Sequence, residues 1–537
     1  MTKTFKNKLS CFLCLLITLF SVSSVYLFSK NLKPQQVVYA SSNEFRSAWV
    51  STVWNLDFPQ TNGKASEFKT QYNKVLDSFD KMNMNVVTFQ IRPRGDAFYP
   101  SNLNPWSHRL TGTQGKAPEA GFDPLSYMVS ETHKRGMKYY AWFNPYLITE
   151  STYTGKTKEQ ILSTLSSNNF ARKNPDLVFL DSGKLYLNPG EPKVQQFIID
   201  TVMEVVNKYD IDGVQFDDYF YPYGASFKQT NPDMATYKKY GSGFSSIESW
   251  RRNNTDTLIK NLNTEIKKSK SNVKFGISPF GIWGNNAKHP SGSSEGEGAA
   301  VSKTSMSSYD DIFADTRKWV KQGWIDYITP QLYWSCDNNV APYKVLVDWW
   351  ANVVKGTNCN LYIGHAVYKY KDGQANSYEA AHWKNPSEIL NQIEYNRKNP
   401  NVKGSSFFSL RDLNSNVANF KTNLVSKFYT SKTSDSEVET TPEYTISNLN
   451  FYKLGLGNRL VWTDSDKTCV NYKIYRSTSL IDPESTLDKD LITTFKRKNN
   501  STYLSYKDNS VDLKKTYYYL VEGIDSNGKV IKKFIKK

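Results

Sequence analysis

Cysteine is scarce in this sequence, with five among 537 residues. Two of them, Cys11 and Cys14, lie in an N-terminal apolar segment, which leaves Cys336, Cys359 and Cys469 for the folded part of the chain. These three form no CxxC pair, and that absence argues against the usual redox motif and the usual zinc site. We therefore predict no metal and no cofactor. The spacing leaves a disulfide between Cys336 and Cys359 open.

Other signals are also missing. No GxGxxG turn follows the first predicted strand, which removes support for a dinucleotide-binding sheet. No motif for a serine or cysteine nucleophile is present either. The formal net charge is +17, but the lysines are scattered rather than gathered into one basic stripe, so we expect no nucleic-acid partner. The charge favours anionic surroundings, such as acidic lipid or an anionic cell wall, and is equally compatible with plain solubility.

Aromatic residues, in contrast, are abundant: 14% of the chain, with 13 Trp and 35 Tyr. Such rings often line carbohydrate sites because their faces complement the C–H groups of sugars, although most rings fill cores. The length of the chain and its 39% hydrophobic content predict two or three packed units.

The N-terminus has the composition of an export signal. Three lysines in the first eight residues precede an apolar run from Cys11 to Phe28, and Val38–Ala40 offers small residues of the kind that a signal peptidase reads. We predict a signal peptide over residues 1–40, cleaved after Ala40, and a secreted or cell-surface protein. The alternative is an uncleaved membrane anchor, because the run is just long enough to span a bilayer, although hydroxyl residues interrupt it. Cys11 lies too early in the run to be a lipid-attachment site.

Apolar runs then alternate with amphipathic segments. The amphipathic segments 68–82, 123–136 and 192–209 are predicted to be helices. Eight strands are predicted at 44–53, 85–93, 138–145, 213–222, 274–281, 325–334, 361–369 and 403–410. This alternation favours an α/β fold, a (β/α)₈ TIM barrel over residues 41–429 with long insertions, and the alternative is an open doubly wound sheet.

The character of the sequence changes after residue 429. Residues 430–443 contain almost no apolar side chain and are predicted to be a linker. Residues 444–537 contain short alternating segments separated by turn residues, which predicts a small all-β sandwich. Trp462 and the runs YKIYRS and YYYLVEGID resemble a fibronectin type III module. Such a module either spaces the barrel or docks it on a surface.

Polar and aromatic residues collect where the predicted barrel strands end, which is where barrel enzymes place their chemistry. A purely structural barrel has no reason for such a concentration. The residues are Trp54, Asp57, Arg92, Arg94, Asp96, Trp142, Asn144, Asp217, Asp218, Tyr219, Ser278, Gln331, Tyr333, Trp334, His365 and Tyr368.

Several of these segments together resemble the bacterial glycosyl hydrolase-like 10 family over about residues 43–425. The matching motifs are EFRSAWVSTVWNLDFP, VVTFQIRPRGDAFYPS, YYAWFNPY, DGVQFDDYFYPY, SPFGIWGN and ITPQLYW. The resemblance implies a secreted or surface-bound barrel that acts on glycan, with bacterial cell-wall glycan strands as the leading substrate. Relatives in that family include lipoproteins, but this chain lacks a well-placed lipobox.

Residues 212–217, DGVQFD, also resemble the D-G-x-R-x-D pattern that the α-amylase superclan carries on its fourth strand. The last aspartate of that pattern is the nucleophile, which corresponds to Asp217. Gln215 stands where the arginine is usual. The task of keeping Asp217 ionised would therefore fall to another cation, such as Arg92 or Arg94.

Glycosidic cleavage requires two carboxyl groups, one to donate a proton and one to attack or to activate water. We predict that Asp217 is the nucleophile or base. Successive residues of a regular strand face opposite sides, so Asp218 is either the proton-donating companion or a structural cap. Asp96 and Asp57 are alternative second carboxylates.

The remaining candidates are predicted to bind substrate, each with a structural alternative in core packing or ion pairing. Trp142, Tyr219, Tyr333 and Trp334 would stack on sugar rings. Asn144, Gln331 and His365 would hydrogen-bond sugar hydroxyls. Arg92 and Arg94 would grip a carboxylate-bearing sugar such as muramic acid.

The sequence thus predicts a glycoside hydrolase whose partner is a polysaccharide, with cell-wall glycan favoured and peripheral cell-surface association compatible with the export signal. One alternative is a glycan-binding protein without a working acid/base pair. Another is an adhesion protein in which the β-sandwich does the binding.

Overall fold

The computed structural model describes residues 44–60, 64–285, 288–289, 306–372, 377–433, 445–454, 457–464, 468–479, 481, 490–497, 502–512, 514–526 and 530–535. The predicted signal peptide lies outside these residues. Among the described helices, none combines the length and apolarity needed to cross a bilayer. The chain divides into two compact units, one ending at Thr433 and one beginning at Ser434.

The first unit contains the predicted eight-stranded parallel barrel. Its strands are β1 (Phe45–Val50), β2 (Val86–Arg92), β3 (Lys138–Phe143), β6 (Gly213–Phe216), β7 (Lys274–Ile277), β8 (Tyr327–Ile328), β9 (Asn360–Ala366) and β10 (Val402–Phe408). They close in the order β1-β10-β9-β8-β7-β6-β3-β2. Each observed strand coincides with a predicted one, but several predicted strands are too long. The clearest cases are β6, which ends at Phe216, and β8, which has only two residues.

Helices and short helical turns follow the strands. The described α-helices are Ala65–Lys81, His108–Thr111, Pro124–Lys134, Lys158–Leu162, Phe170–Lys173, Pro192–Lys208, Ala225–Thr230, Met234–Tyr240, Ile247–Ser269, Ser308–Asp311, Thr316–Lys321, Tyr343–Val354, Lys369–Asp372, Ser377–Trp383, Glu388–Lys398, Leu410–Asn414 and Phe420–Lys427, with 3-10 turns at Val53–Asn55, Pro175–Leu177 and Val417–Asn419. A proline in the first turn starts Pro192–Lys208. Its apolar residues, spaced three and four apart, pack against the barrel, as an amphipathic pattern predicts.

Aromatic side chains close the barrel at the end where the strands begin. Phe45, Tyr140, Tyr327 and Tyr362 are buried together there, and the rings of Phe45 and Tyr362 stack with centroids 3.7 Å apart. Gly276 makes room for this layer, since a Cβ atom at that position would lie 2.3 Å from the ring of Tyr327. The packed floor leaves only the opposite mouth of the barrel open to a ligand.

An antiparallel hairpin, β4 (Val178–Asp181) with β5 (Lys184–Leu187), extends the connection after β3. The sequence pattern did not predict this hairpin. Cys336 and Cys359 are free and buried, so the disulfide that their spacing left open is not formed.

The second unit is a small all-β sandwich, as predicted. Its strands are β11 (Thr445–Leu454), β12 (Gly457–Thr463), β13 (Asn471–Ser477), β14 (Leu491–Lys496), β15 (Tyr503–Asp508), β16 (Tyr518–Ile524) and β17 (Val530–Ile535). The first half of β11 pairs in parallel with β17 and its second half pairs antiparallel with β12, so β11 joins both layers. Trp462 lies in the core, 5.4 Å from Tyr472 between ring centroids.

Candidate active site

A cavity of about 600 Å³ opens at the mouth of the barrel, at the carboxyl ends of the strands. Eight of the predicted site residues line it: Arg94, Trp142, Asp217, Asp218, Tyr219, Gln331, Tyr333 and Trp334. Ser278 and Tyr368, which also follow strands, line it too. The other residues of its wall are Trp49, Ser51, Val53, Leu56, Gln90, Gln215, Tyr223, Phe280, Lys369, Phe408, Arg411 and Asp412.

Asp217 and Asp218 both line the cavity. Strand alternation had predicted that both could not point inward while the strand stayed regular. The difference arises because β6 ends at Phe216, so neither aspartate belongs to the regular strand. The chain turns at once, with the Phe220 N–H donating to the Asp218 carbonyl at 3.0 Å, and both carboxyl groups are free to face the same space.

Asp217 is buried, 5% exposed, and accepts few hydrogen bonds. The Trp142 indole N–H donates to its Oδ2 at 3.2 Å, and the Tyr219 backbone N–H donates to its Oδ1 at 3.4 Å. Burial, followed by repulsion from Asp218, raises the pKa of Asp217 to about 7, although Arg94 and these two donors act in the opposite direction. Asp217 is therefore able to hold a proton near neutral pH.

Asp218 is buried to a similar extent but has a closer hydrogen-bond donor than Asp217. The Tyr223 hydroxyl donates to its Oδ2. Burial raises the pKa of Asp218 to about 6, while hydrogen bonds from Tyr223 and Gln331 lower it. Burial and the repulsion from Asp218 therefore favour the protonated form of Asp217 over that of Asp218.

A third carboxylate, Asp412, faces the pair from the far side of the mouth. It follows β10, which is four places from β6 in the ring of eight strands and therefore opposite to it. Asp412 is 1% exposed, and its Oδ1 lies 3.3 Å from the Arg411 guanidinium. Sequence reasoning missed it because it stands four residues beyond the strand, inside the short helix Leu410–Asn414. The adjacent SLRD run, polar and charged directly after the eighth strand, was the available signal.

Aromatic rings and amides form the remaining walls. Phe280 and Trp334 pack edge to face with centroids 5.5 Å apart, and Tyr333 contacts Tyr368 in the same manner at 6.1 Å. The Gln215 Nε2 is buried with no hydrogen-bond partner among the described residues. A buried donor of this kind is available to a ligand oxygen.

Three cationic side chains also line the cavity: Arg94, Lys369 and Arg411. The guanidinium of Arg94 lies 5.9 Å from the ring centroid of Tyr219. The Lys369 Nζ donates to the Tyr333 carbonyl, and burial lowers the pKa of Lys369. Each offers a local contact to an anionic group on a bound ligand, in a cavity that three carboxyl groups also line.

Arg92 and Asn144 do not line the cavity, which corrects the expectation that they contact substrate. Arg92 is 1% exposed and donates to the Asn144 and Pro145 carbonyls and, at 3.2 Å, to Asn104 Oδ1. Burial lowers the pKa of Arg92 to about 10. Asn144 is fully buried and its Oδ1 accepts the Leu147 N–H at 3.1 Å. Both residues fasten the loop after β3.

His365 is a second correction. It is fully buried, stacked between Tyr343 and Phe407. Its ring nitrogens lie 3.0 Å from Gln392 Oε1 and 3.1 Å from Ser405 Oγ. Burial lowers the pKa of His365 to about 4. A neutral histidine packed between the barrel and its helices has no access to a sugar hydroxyl.

Asp96 and Asp57, the two alternative second carboxylates, also lie outside the cavity wall. Asp96 is fully buried beside His108, whose Nδ1 lies 3.5 Å from the Asp96 Oδ2. Asp57 lines a neighbouring groove of about 710 Å³. It accepts the backbone N–H groups of Ser51 and Arg411 at 2.7 and 2.6 Å. Asp57 thus joins the loop after β1 to the loop after β10.

Among the described residues, no group of three or more His, Cys, Asp and Glu side chains is arranged to hold a metal ion. The chemistry that these residues themselves offer is acid–base and nucleophilic chemistry by carboxyl groups. Three carboxylates, cationic side chains and aromatic walls in one cavity form a suitable arrangement for a sugar polymer.

Comparisons with known proteins find relatives that are named glycosyl hydrolases. Glycosyl hydrolase YngK of Bacillus subtilis (strain 168) is 41% identical over 501 residues, covering 90% of this chain and 91% of that protein. Glycosyl hydrolase DigH of Escherichia coli (strain K12) is 40% identical over 388 residues, covering 70% and 85%. The PgaB (BpsB) glycoside hydrolase domain from Bordetella bronchiseptica covers 71% of this chain and 98% of its own with a TM-score of 0.40 and 11% identity, too distant for an argument. The model of the Glycosyl hydrolase-like 10 family matches residues 44–384, and the chain belongs to that family.

Proposed function

We propose that this protein is a glycoside hydrolase that cleaves bacterial cell-wall glycan or a related polysaccharide outside the cell. The observation that carries the proposal is the pair Asp217 and Asp218, both buried at the cavity wall and both with raised pKa values. Two carboxyl groups that differ in protonation are what hydrolysis of a glycosidic bond requires.

The hydrogen bonds suggest how the pair divides the work. Asp218 accepts a hydrogen bond from the Tyr223 hydroxyl, and Gln331 also acts to lower its pKa; both favour its ionised form. Asp217 has the higher pKa and is therefore the better proton donor. We therefore propose that Asp217 protonates the leaving oxygen while Asp218 stabilises or attacks the anomeric carbon. This assignment reverses the roles that sequence resemblance had favoured.

The cationic side chains of the cavity support an anionic cell-wall glycan as the substrate. Arg94, Lys369 and Arg411 line the same space as the carboxyl pair, and a sugar that carries a carboxylate, such as muramic acid, would complement them. The relatives are named glycosyl hydrolases. Export through the N-terminal segment remains a prediction of the sequence.

The test is incubation of the chain from residue 41 onward with purified peptide-free glycan strands and, separately, with peptide-bearing wall, followed by mass analysis of the fragments. We expect hydrolytic reducing ends. Asp217→Asn and Asp218→Asn should each lower turnover by roughly a thousandfold or more, whereas Asp210→Asn, at a side chain 87% exposed on the surface, should leave it unchanged. Anhydro ends would identify a lyase instead. Glycan that binds but stays intact would identify a non-catalytic binding protein.

Substrates that differ in their leaving group distinguish the roles of the two aspartates. In an aryl glycoside with an acidic phenol, the phenolate leaves without needing a proton from the enzyme. If Asp217 is the acid, Asp217→Asn still releases the phenol in the first turnover at close to the parent rate, and Asp218→Asn loses activity on both kinds of substrate. The opposite pattern would restore Asp217 as the attacking carboxylate. Loss of both activities in Asp412→Asn alone would move the second carboxylate to the far wall.

A further inference from the structure

Trp54 is an exposed ring beside the cavity. All thirteen tryptophans of the chain lie in its described part, and Trp54, at 57% exposure, is the one that is exposed. It lies in the loop after β1, between Val53 and Leu56, which line the cavity. Leu56 also lines the neighbouring groove. Trp54 itself lines neither space, but its neighbours in the chain do, which places it at the rim between them.

The backbone at Trp54 adopts an unfavourable conformation. Trp54 has φ 56° and ψ 15°, and Asn55 has φ 49°. A bulky residue rarely occupies this left-handed region, and such strain concentrates at functional sites. The Trp54 N–H donates to Glu150 Oε1 at 2.6 Å, and this bond holds the conformation.

A charged network supports one face of the indole. The guanidinium carbon of Arg109 lies 5.0 Å from the Trp54 ring centroid. Arg109 is in turn fixed by Glu150, through a bond from Nε at 2.8 Å, and by Asn55 Oδ1 at 3.1 Å. His108 Nε2 lies 3.4 Å from the same Glu150 oxygen. The ring is therefore pre-positioned, and a ligand that stacks on its free face loses little additional side-chain entropy.

We propose that Trp54 is a sugar-stacking platform outside the cavity, which holds a pyranose ring of the same glycan chain whose scissile bond lies at Asp217 and Asp218. The occupant is a sugar because the platform is a single ring among charged side chains, flanked in the chain by two residues of the proposed glycan site, rather than a broad apolar patch. This inference rests on the proposed function for the identity of the chain. It implies that the substrate is a polymer with several sugars and not a disaccharide.

The test measures binding without cleavage. In the full chain carrying Asp217→Asn, calorimetry gives the Kd for peptide-free cell-wall glycan oligosaccharides from disaccharide to octasaccharide. We expect affinity to rise with length, and Trp54→Ala to remove that rise, weakening octasaccharide binding by roughly tenfold. Trp54→Phe should lie between the two. Tyr240→Ala, at an aromatic residue 37% exposed elsewhere on the barrel, is the control and should change no Kd.

Three outcomes would overturn the platform: an equal loss at every length, which would mean that Trp54 only shapes the loop; no loss at any length; and no binding of any oligosaccharide by the Asp217→Asn chain. The proposed function fails separately. If Trp54→Ala shows the length-dependent loss but the unmutated chain cuts no glycan, the platform stands and hydrolysis does not.

Discussion

Asp217 is a buried carboxyl group whose hydrogen bonds only weakly stabilise its negative charge. It is 5% exposed, and its donors lie at the long distances of 3.2 and 3.4 Å. Under the proposed function this carboxyl group serves chemistry at a cost in stability, as active-site groups commonly do. Asp218 shares the burial but has the Tyr223 hydroxyl as a close partner.

The burial of this ionisable group predicts that Asp217→Asn stabilises the protein in a pH-dependent way. The folded pKa of about 7 lies above the ordinary value of 3.8, so Asp217 contributes stability that is fully present below pH ~4 and is lost as pH rises through about 7. The Asn variant should therefore match the parent at pH ~4 and exceed it at pH ~8 by roughly 2 °C or more in Tm. Calorimetric scans at both pH values check this. An equal shift at both would mean that packing, not ionisation, is responsible.

At the scale of single elements, the loop after β3 depends on Arg92 at the end of β2. The Arg92 guanidinium reaches two loop carbonyls, of Asn144 and Pro145, and the Asn104 side chain. These bonds position the segment that follows Trp142, whose N–H reaches Asp217. Arg92 therefore binds the loop after β3 rather than the substrate.

We therefore expect Arg92→Lys to act on folding and not on substrate binding. A lysine cannot reach three acceptors in the fork geometry of arginine, and buried acceptors left unpaired cost about 1–3 kcal/mol. Chemical denaturation should show this loss, with KM nearly unchanged. Arg135→Lys, which alters partly exposed ion pairs with Asp77 and Asp80, is the control and should cost under ~1 kcal/mol. A tenfold rise in KM for Arg92→Lys without lost stability would return Arg92 to the substrate site.

At the scale of the whole molecule, the end of the barrel unit lies a few residues inside the predicted linker. Ser431 accepts a bond from Arg46 Nη1 at 2.8 Å, and Thr433 Oγ1 accepts one from Asn85 at 3.1 Å. Tyr429 is fully buried. Residues up to Thr433 thus complete the barrel unit.

Two truncations should behave differently for this reason. A chain ending at Thr433 should fold with the thermal stability of the intact barrel and cleave short soluble glycans at the parent rate. A chain ending at Phe428 loses the buried Tyr429 ring and should be destabilised by about 3 kcal/mol or more. Calorimetry and turnover of soluble oligosaccharide by both chains provide the check. Loss of all activity in the chain ending at Thr433 would mean that the sandwich contributes to the active site.

Much of the site was predictable because the barrel is regular. Eight apolar segments separated by helical segments predict parallel strands, and parallel strands gather their carboxyl ends at one face. That rule placed Asp217, Trp142 and Gln331 at the mouth, where they line the cavity. The same rule could not tell which strand-end side chains point inward, and Arg92 and His365 are buried elsewhere for that reason. Asp412 was missed because the chain carries it into the mouth from a short helix.

The sequence by itself determined the kind of molecule: hydrophobic periodicity is a local property, and it specified a (β/α)₈ barrel, a polar segment and an all-β unit without any knowledge of contacts. The tertiary structure decided the chemistry. Whether an aspartate is a surface charge, a loop fastener or a proton carrier depends on its burial and on donors distant in sequence, such as Trp142, which lies 75 positions from Asp217. Desolvation and hydrogen bonding act through space, and only the closed barrel brings those groups together.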